Sequence, residues 1–170
     1  MNKDEKRKNM WTLALGVALL PPVWAALAPH LGVPTGAVAL ICAGVFAAGG
    51  NKYEDTLKIC LGFLCGDIWA VAALFLMDRL PLPEDLETFL ILFVMGGLAV
   101  LISTALERIV YLPAWLCGWA VGLTIMGPAG WGGLGSLPVQ IGAAMLAGVI
   151  YVGVGVDLFQ KKLLSRWNRK

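Results

Sequence analysis

Six apolar runs dominate this chain and leave it few ways to fold. They extend from Trp11 to about Pro29, from Pro34 to Gly49, from about Leu57 to Met77, from about Thr88 to Ala105, from Val110 to Met126 and from Pro138 to Val156. Within them only Lys58 and Asp67 carry charge. A helix needs roughly 17–25 apolar residues to cross the hydrocarbon of a bilayer, and the runs match that length or fall just short of it. They are apolar all round and rich in Ala, Leu and Gly, whereas the strands of a membrane barrel alternate polar and apolar residues in shorter segments. The expected fold is all-α and polytopic, with six transmembrane helices. Composition excludes the soluble alternative. Charged residues make up 14% of the 170 and hydrophobic ones 59%, against about 25% charged in soluble domains. A soluble fold of this size would expose apolar surface of the kind that aggregates.

The flanking charges orient these spans. Lys3, Lys6, Arg7 and Lys8 precede the first span, Lys52 and Lys58 surround the turn after the second, and Arg108 follows the fourth. Lys161, Lys162, Arg166, Arg169 and Lys170 follow the sixth. If six spans alternate, these residues share one side and only Arg79 lies on the other, so the positive-inside rule puts both termini in the cytoplasm. The expected organisation is a cytoplasmic tail at 1–10, a first three-helix unit at 11–77, an acidic outer loop at 78–87, a second three-helix unit at 88–156 and a basic cytoplasmic tail at 157–170. A cleaved signal peptide ending in Ala26-Leu27-Ala28 is the rival reading of the N-terminus. It would leave five helices and place a proline directly after the cut.

The two units align with each other. Gly62-Phe-Leu-Cys-Gly66-Asp-Ile-Trp69 reads against Ala144-Met-Leu-Ala-Gly148-Val-Ile-Tyr151, and Gly44 to Gly49 matches Gly122 to Gly127. Pro34 falls within one residue of the position equivalent to Pro113. Each unit has an odd number of helices, so the second enters the membrane from the opposite side and the repeat is inverted. Inverted repeats are common in transporters, whose sites lie near the midplane, often at paired short segments interrupted by Gly or Pro. Helices two and five fit that description, starting near Pro34 and Pro113 and ending in glycines or in Gly127-Pro128. The Gly127–Gly135 stretch either folds back into the outer mouth or forms a flexible loop. Pro21-Pro22 is expected to kink the first helix or end it.

Several of these features are found together in a known family: an N-terminal helix containing tryptophan, Gly44-Val-Phe-Ala-Ala-Gly-Gly50 before a charged turn, Gly66-Asp-Ile-Trp69, and Gly118-x-x-x-Gly122. In these the chain resembles the small bacterial inner-membrane proteins grouped as domain of unknown function 1097 (YcdZ-like), from about residue 11 to 156. The resemblance implies a multi-pass protein of the bacterial inner (cytoplasmic) membrane and carries over no activity.

Asp67 is the one carboxylate in the middle of a span. A charge there costs about 2.5–3.5 kcal/mol on insertion scales, so it should face the bundle interior or water. It would bind a cation, a proton or a substrate amine or amide, or else be a neutral acid bonded to a neighbouring backbone or to Ser103, Thr104 or Gln140. The repeat pairs Phe46 with Thr124 and Trp69 with Tyr151. These four, with Trp24, Trp115 and Trp119, are candidates for lining a solute path, each also readable as packing. Gly62, Gly66, Gly118 and Gly122 have the spacing that lets membrane helices approach closely, and Ala14xxxAla18 resembles it.

No catalytic constellation is visible, and no cofactor is expected. The four cysteines form no CxxC pair, and with a single histidine, His30, neither a disulfide framework nor a metal site is suggested. Glu107, Arg108 and Asp157 sit at cytoplasmic helix ends, where charge is ordinary. The expected partners are the lipid bilayer and a small-molecule solute, with no nucleic acid, and a homo-oligomer is compatible with so few helices. The expected function is a channel or facilitator for a small polar solute such as urea, ammonia or formate, with its path between the repeats. The alternatives are a proton- or cation-coupled secondary transporter using Asp67, and a membrane-embedded accessory or substrate-binding subunit.

Overall fold

The computed structural model describes residues 3–33 and 35–167, and every regular element among them is helical. Helix α1 is Lys3–Leu27, α2 is Val38–Ala48, α3 is Thr56–Arg79, α4 is Glu84–Ala105, α5 is Leu112–Met126 and α6 is Leu137–Trp167. Short 3-10 turns at Ala28–Leu31, Tyr53–Asp55, Gly127–Ala129 and Trp131–Gly133 punctuate the connections. Five stretches are long and apolar enough to cross a membrane. Helix α2, with 11 residues, covers only about 16 Å, roughly half the hydrocarbon thickness. The outer surface is apolar: Phe93 is 70% exposed and Leu101 68%. Side chains of that kind are stable there only against lipid.

The helices do not end where the apolar runs end. Helix α4 begins at Glu84 rather than Thr88, with Glu84, Asp85 and Glu87 in its first turn, where the helix dipole favours negative charge. Only the first part of the stretch expected as an acidic loop is therefore loop. Helix α6 continues past Val156 to Trp167, held by Lys161 Nζ to Asp157 Oδ2 at 2.7 Å and by Gln160 Nε2 donating to Asn9 O of α1 at 3.1 Å. Helix α1 begins at Lys3, so both expected tails are helical through their described residues. These extensions depend on charge at a helix end, a side-chain pair one turn apart and a bond between helices.

Prolines and glycines act locally. Helix α1 runs through Pro21 and Pro22 without ending. Each proline removes one backbone bond, but no water is present in lipid to compete for the rest. The turn after α1 closes at Gly32, whose φ of +77° suits glycine and whose N–H bonds Pro29 O at 3.1 Å. Helix α2 is regular only from Val38, and Pro34 lies outside the described residues. Pro113 starts α5, in the first turn where its missing N–H has no partner to lose. Gly127 and Pro128 end that helix in a 3-10 turn. The glycine-rich stretch then folds over the end of α3, with Trp131 against Phe75 at a centroid distance of 5.0 Å and Leu134 buried. Inside α6, residues Gly148–Val154 widen into a π-helical stretch, a local feature found often at functional sites.

Packing is organised by backbone contact. A Cβ at Gly62 of α3 would stand 2.7 Å from Tyr111 O, and one at Gly66 would overlap the backbone of Trp115, Gly118 and Trp119. The fit is reciprocal, since a Cβ at Gly118 would stand 2.6 Å from Phe63 O. Helix α6 approaches α2 in the same manner: a Cβ at Gly148 would stand 2.6 Å from Ala39 O, and one at Gly153 2.9 Å from the Phe46 ring. Helix α4 packs on the α3–α5 pair and α1 on α6, so two three-helix groups result, α3–α4–α5 and α1–α2–α6. They meet along α3 and α6, which run antiparallel. Tyr53, just ahead of α3, meets Lys161; Asp67 meets Gly142; Phe75 meets Trp131. Phe46, Phe63, Ile141, Met145 and Val149 are fully buried in the shared core.

Forcing a methyl group into the α3–α5 contact should cost about 1–3 kcal/mol, the usual range for overpacking. Gly66→Ala is expected to lower the detergent Tm or the monodisperse yield. Gly97→Ala, where a Cβ meets nothing within 4 Å, is expected to leave both unchanged.

Candidate functional site

Asp67 lies midway along α3, one residue after Gly66, and is 6% exposed. The glycine contact that draws α3 against α5 carries its carboxylate into the protein interior. A Cβ at Gly122 of α5 would stand 3.5 Å from Oδ1, and one at Gly142 of α6 would stand 3.5 Å from Oδ2. Two glycines from different helices thus face the carboxylate. Ala70 and Leu64 complete the neighbourhood, each beside one of them.

Oδ1 is fully buried and has no hydrogen-bond partner. The side chains expected as structural partners are engaged elsewhere: Ser103 Oγ and Thr104 Oγ1 both donate to Val100 O, at 3.0 and 2.7 Å, and Gln140 Nε2 donates to Ser136 Oγ at 2.9 Å. Among the described residues no cation pairs with Asp67. An unsatisfied buried polar atom costs about 1–3 kcal/mol, and a carboxylate that stays ionised costs more. The site therefore has free capacity for a proton, a cation or an N–H donor. Among the described residues no three His, Cys, Asp or Glu side chains cluster as metal ligands do.

The other candidates do not gather around it. Trp69 stacks edge-on against Trp115, with centroids 5.4 Å apart, and its Nε1 donates to Met95 O at 3.2 Å, joining α3, α4 and α5. Trp119 is buried against Gly66, its indole N–H without a partner, as are those of Trp24 and Trp115. Phe46 is fully buried between α2 and the π-helical part of α6. Tyr151 is partly exposed and meets Trp24 of α1, centroids 6.2 Å apart. Thr124 Oγ1 donates to Ala120 O at 2.8 Å and lines a lateral groove of about 410 Å³ between α2 and α5. A smaller cleft lies between α1, α2 and α6, beside Pro21 and Asn51. Asp67 lines neither. Ala14 and Ala18 are exposed on α1.

Sequence reasoning passed over two features. Gly142 carries no signal, because it is one small residue in an Ala/Gly-rich run. Asp157, taken as an ordinary interface charge, is 5% exposed and paired with Lys161, whose Nζ lies 4.7 Å from the centre of the Tyr53 ring. The four-residue spacing of Asp157 and Lys161 was the available sign.

The family described as protein of unknown function DUF1097 matches residues 14–161. No curated protein and no solved structure matches the chain.

Since the Asp67 carboxylate satisfies no structural bond, removing its charge should not weaken the fold. Asp67→Asn is expected to unfold in detergent within a few degrees of the parent, or later. A large fall in Tm would show instead that the carboxyl is a structural element.

Proposed function

We propose that this chain, which belongs to the DUF1097 family, is a multi-pass transport protein that carries a small polar solute across the bacterial inner membrane by way of Asp67. The observation that carries this reading is the buried carboxylate, with Oδ1 unpaired, where α3, α5 and α6 meet. Acids at such depth are rare and costly, and they mark proton relays and substrate or ion paths.

The architecture behind the reading is an inverted repeat of two three-helix units, α1–α3 and α4–α6. Gly66 and Gly148 occupy equivalent places in it, each seated on the backbone of the shorter helix of the other unit. The pairings of α3 with α5 and of α6 with α2 exchange under an axis in the membrane plane, as do those of α4 with α3 and of α1 with α6. The ends of α1 and α6 lie together, and Tyr111 N–H bonds Lys58 O at 3.3 Å beside them. Most of the basic side chains accompany that end, which is therefore assigned to the cytoplasm.

Enclosure of Asp67 favours a coupled carrier over a standing pore. A carboxylate 6% exposed, with one oxygen fully buried and glycines of two helices against it, leaves little room for a wide standing channel at that point. The partners in this reading are the bilayer and a solute able to donate N–H or O–H bonds, with a proton or monovalent cation as the co-occupant.

Proteoliposomes carrying an inward proton or sodium gradient should take up at least one of labelled urea, methylammonium and formate. Asp67→Asn should abolish the gradient-driven component. Uptake that ignores both gradients and survives Asp67→Asn would return the facilitator reading, and no uptake of any small solute would sink the transport reading. A C-terminal green fluorescent protein fusion should fluoresce, as it does only on the cytoplasmic side.

A further inference from the structure

The two ends of the antiparallel α3/α6 pair carry matching side-chain clasps. At the end near the termini, Lys161 of α6 places its Nζ 4.7 Å from the Tyr53 ring centre, and the Asp157 carboxylate one turn before it receives Lys161 at 2.7 Å. At the opposite end, the Arg79 guanidinium of α3 lies 5.2 Å from the Phe75 ring centre, and Phe75 packs edge-on against Trp131 at 5.0 Å. A cation, a side chain one turn before it and an aromatic ring on the adjoining turn recur at both ends.

Sequence offsets show that these are equivalent places. Gly66 and Gly148 differ by 82 in number, and so do Arg79 and Lys161, and Phe75 and Asp157. Gly44 and Gly122 differ by 78, and so do Tyr53 and Trp131. Tyr53 precedes the first turn of α3, and Trp131 lies on the approach to α6. Each clasp therefore ties the entry of one central helix to the exit of the other. At 1.5 Å per residue, Asp67 stands about 21 Å along the chain axis from Tyr53 and about 18 Å from Arg79.

We propose that the Tyr53–Asp157–Lys161 and Trp131–Phe75–Arg79 clasps are the two gates of one transport path, each controlling access to Asp67 from one face of the membrane. The purpose of the gates rests on the transport reading of Asp67. The contacts that cross between the helices, Lys161 over Tyr53 and Phe75 against Trp131, suit this work because they hold a closed state without a large packed area to be disrupted at each opening. The Asp157–Lys161 and Arg79–Phe75 contacts, each within one helix, position the crossing groups. Both clasps are engaged in this structure. The two clasps differ in chemistry, with a carboxylate at one end where the other has a phenyl ring, so the two gates open with different ease.

The experiment reads access rather than transport. In full-length protein with Cys42, Cys60, Cys65 and Cys117 replaced by alanine and Asp67→Cys added, a membrane-impermeant methanethiosulfonate is applied to right-side-out spheroplasts and to inverted vesicles. With both clasps intact, labelling is slow from either face. Tyr53→Ala should raise the rate about tenfold from the face bearing the termini only, and Trp131→Ala about tenfold from the opposite face only, the change produced when an open state rises from about 1% to about 10%. Lys161→Gln and Phe75→Leu, each of which removes one side of a crossing contact, should give the same sidedness and stand in for any alanine variant that does not stay monodisperse. Both variants opening to the same face, or neither changing the rate in folded protein, overturns the proposal. Side-specific labelling in a protein that moves no solute removes the transport reading and leaves the clasps as access gates. Asp67-dependent flux with labelling unmoved leaves transport and removes the clasps.

Discussion

Everything in this molecule depends on how closely two helix backbones approach in lipid. Lipid tails are as apolar as leucine, so no hydrophobic force drives helices together within the bilayer, and association falls to van der Waals contact and hydrogen bonds. At Gly62, Gly66 and Gly118 the α3 and α5 backbones touch with no side chain between them. That contact fixes the rotation of α3, and the rotation turns Asp67, the next residue along, inward toward Gly122 and Gly142. The glycine seam and the buried acid are parts of one arrangement.

The same seam explains the asymmetry of the interior. Gly66 and Gly148 are seated alike, yet Asp67 has Val149 as its counterpart. Val149 is fully buried and needs no partner, whereas Asp67 Oδ1 lacks one. The two glycine contacts thus differ in the residue that follows each, an acid in one and a valine in the other. The aromatic residues that the repeat pairs are spent on fixing peripheral helices: Trp69 reaches Met95 of α4, and Tyr151 reaches Trp24 of α1.

Much of the fold was legible because hydropathy measures the thickness of hydrocarbon that a segment can cross. The runs at 57–77 and 110–126 locate α3 and α5 within one or two residues at each end. Glycine spacing was informative for the same physical reason, since small residues four apart in lipid mark close approach. Hydropathy says nothing of where a helix stops once it has left the hydrocarbon. The early start of α4 at Glu84 comes from acids at a helix N-terminus, and the late end of α6 from Asp157–Lys161 and Gln160–Asn9. The inward position of Asp67 could be read from the cost of a charge in lipid. Its lack of a partner could not, because Ser103, Thr104 and Gln140 satisfy themselves within their own helices, a choice of rotamer and not of sequence. The contacts of Tyr53 with Lys161 and of Phe75 with Trp131 join residues more than fifty positions apart, which no local pattern links.

The crossed pairing of the helices also imposes an order in time. Helix α3 finds its glycine partner in α5, and α6 finds its own in α2, so neither half of the chain contains a complete packing unit. While the chain is being synthesised, α1 to α3 enter the bilayer with a bare glycine track and an acid at mid-depth facing lipid. That exposure lasts until α5 emerges to cover Gly62 and Gly66, and the acid meets its second glycine only when α6 brings in Gly142. The N-terminal half thus depends on the C-terminal half, and a chain interrupted after Arg79 lacks the α5 and α6 surfaces against which Gly62, Gly66 and Asp67 are seated.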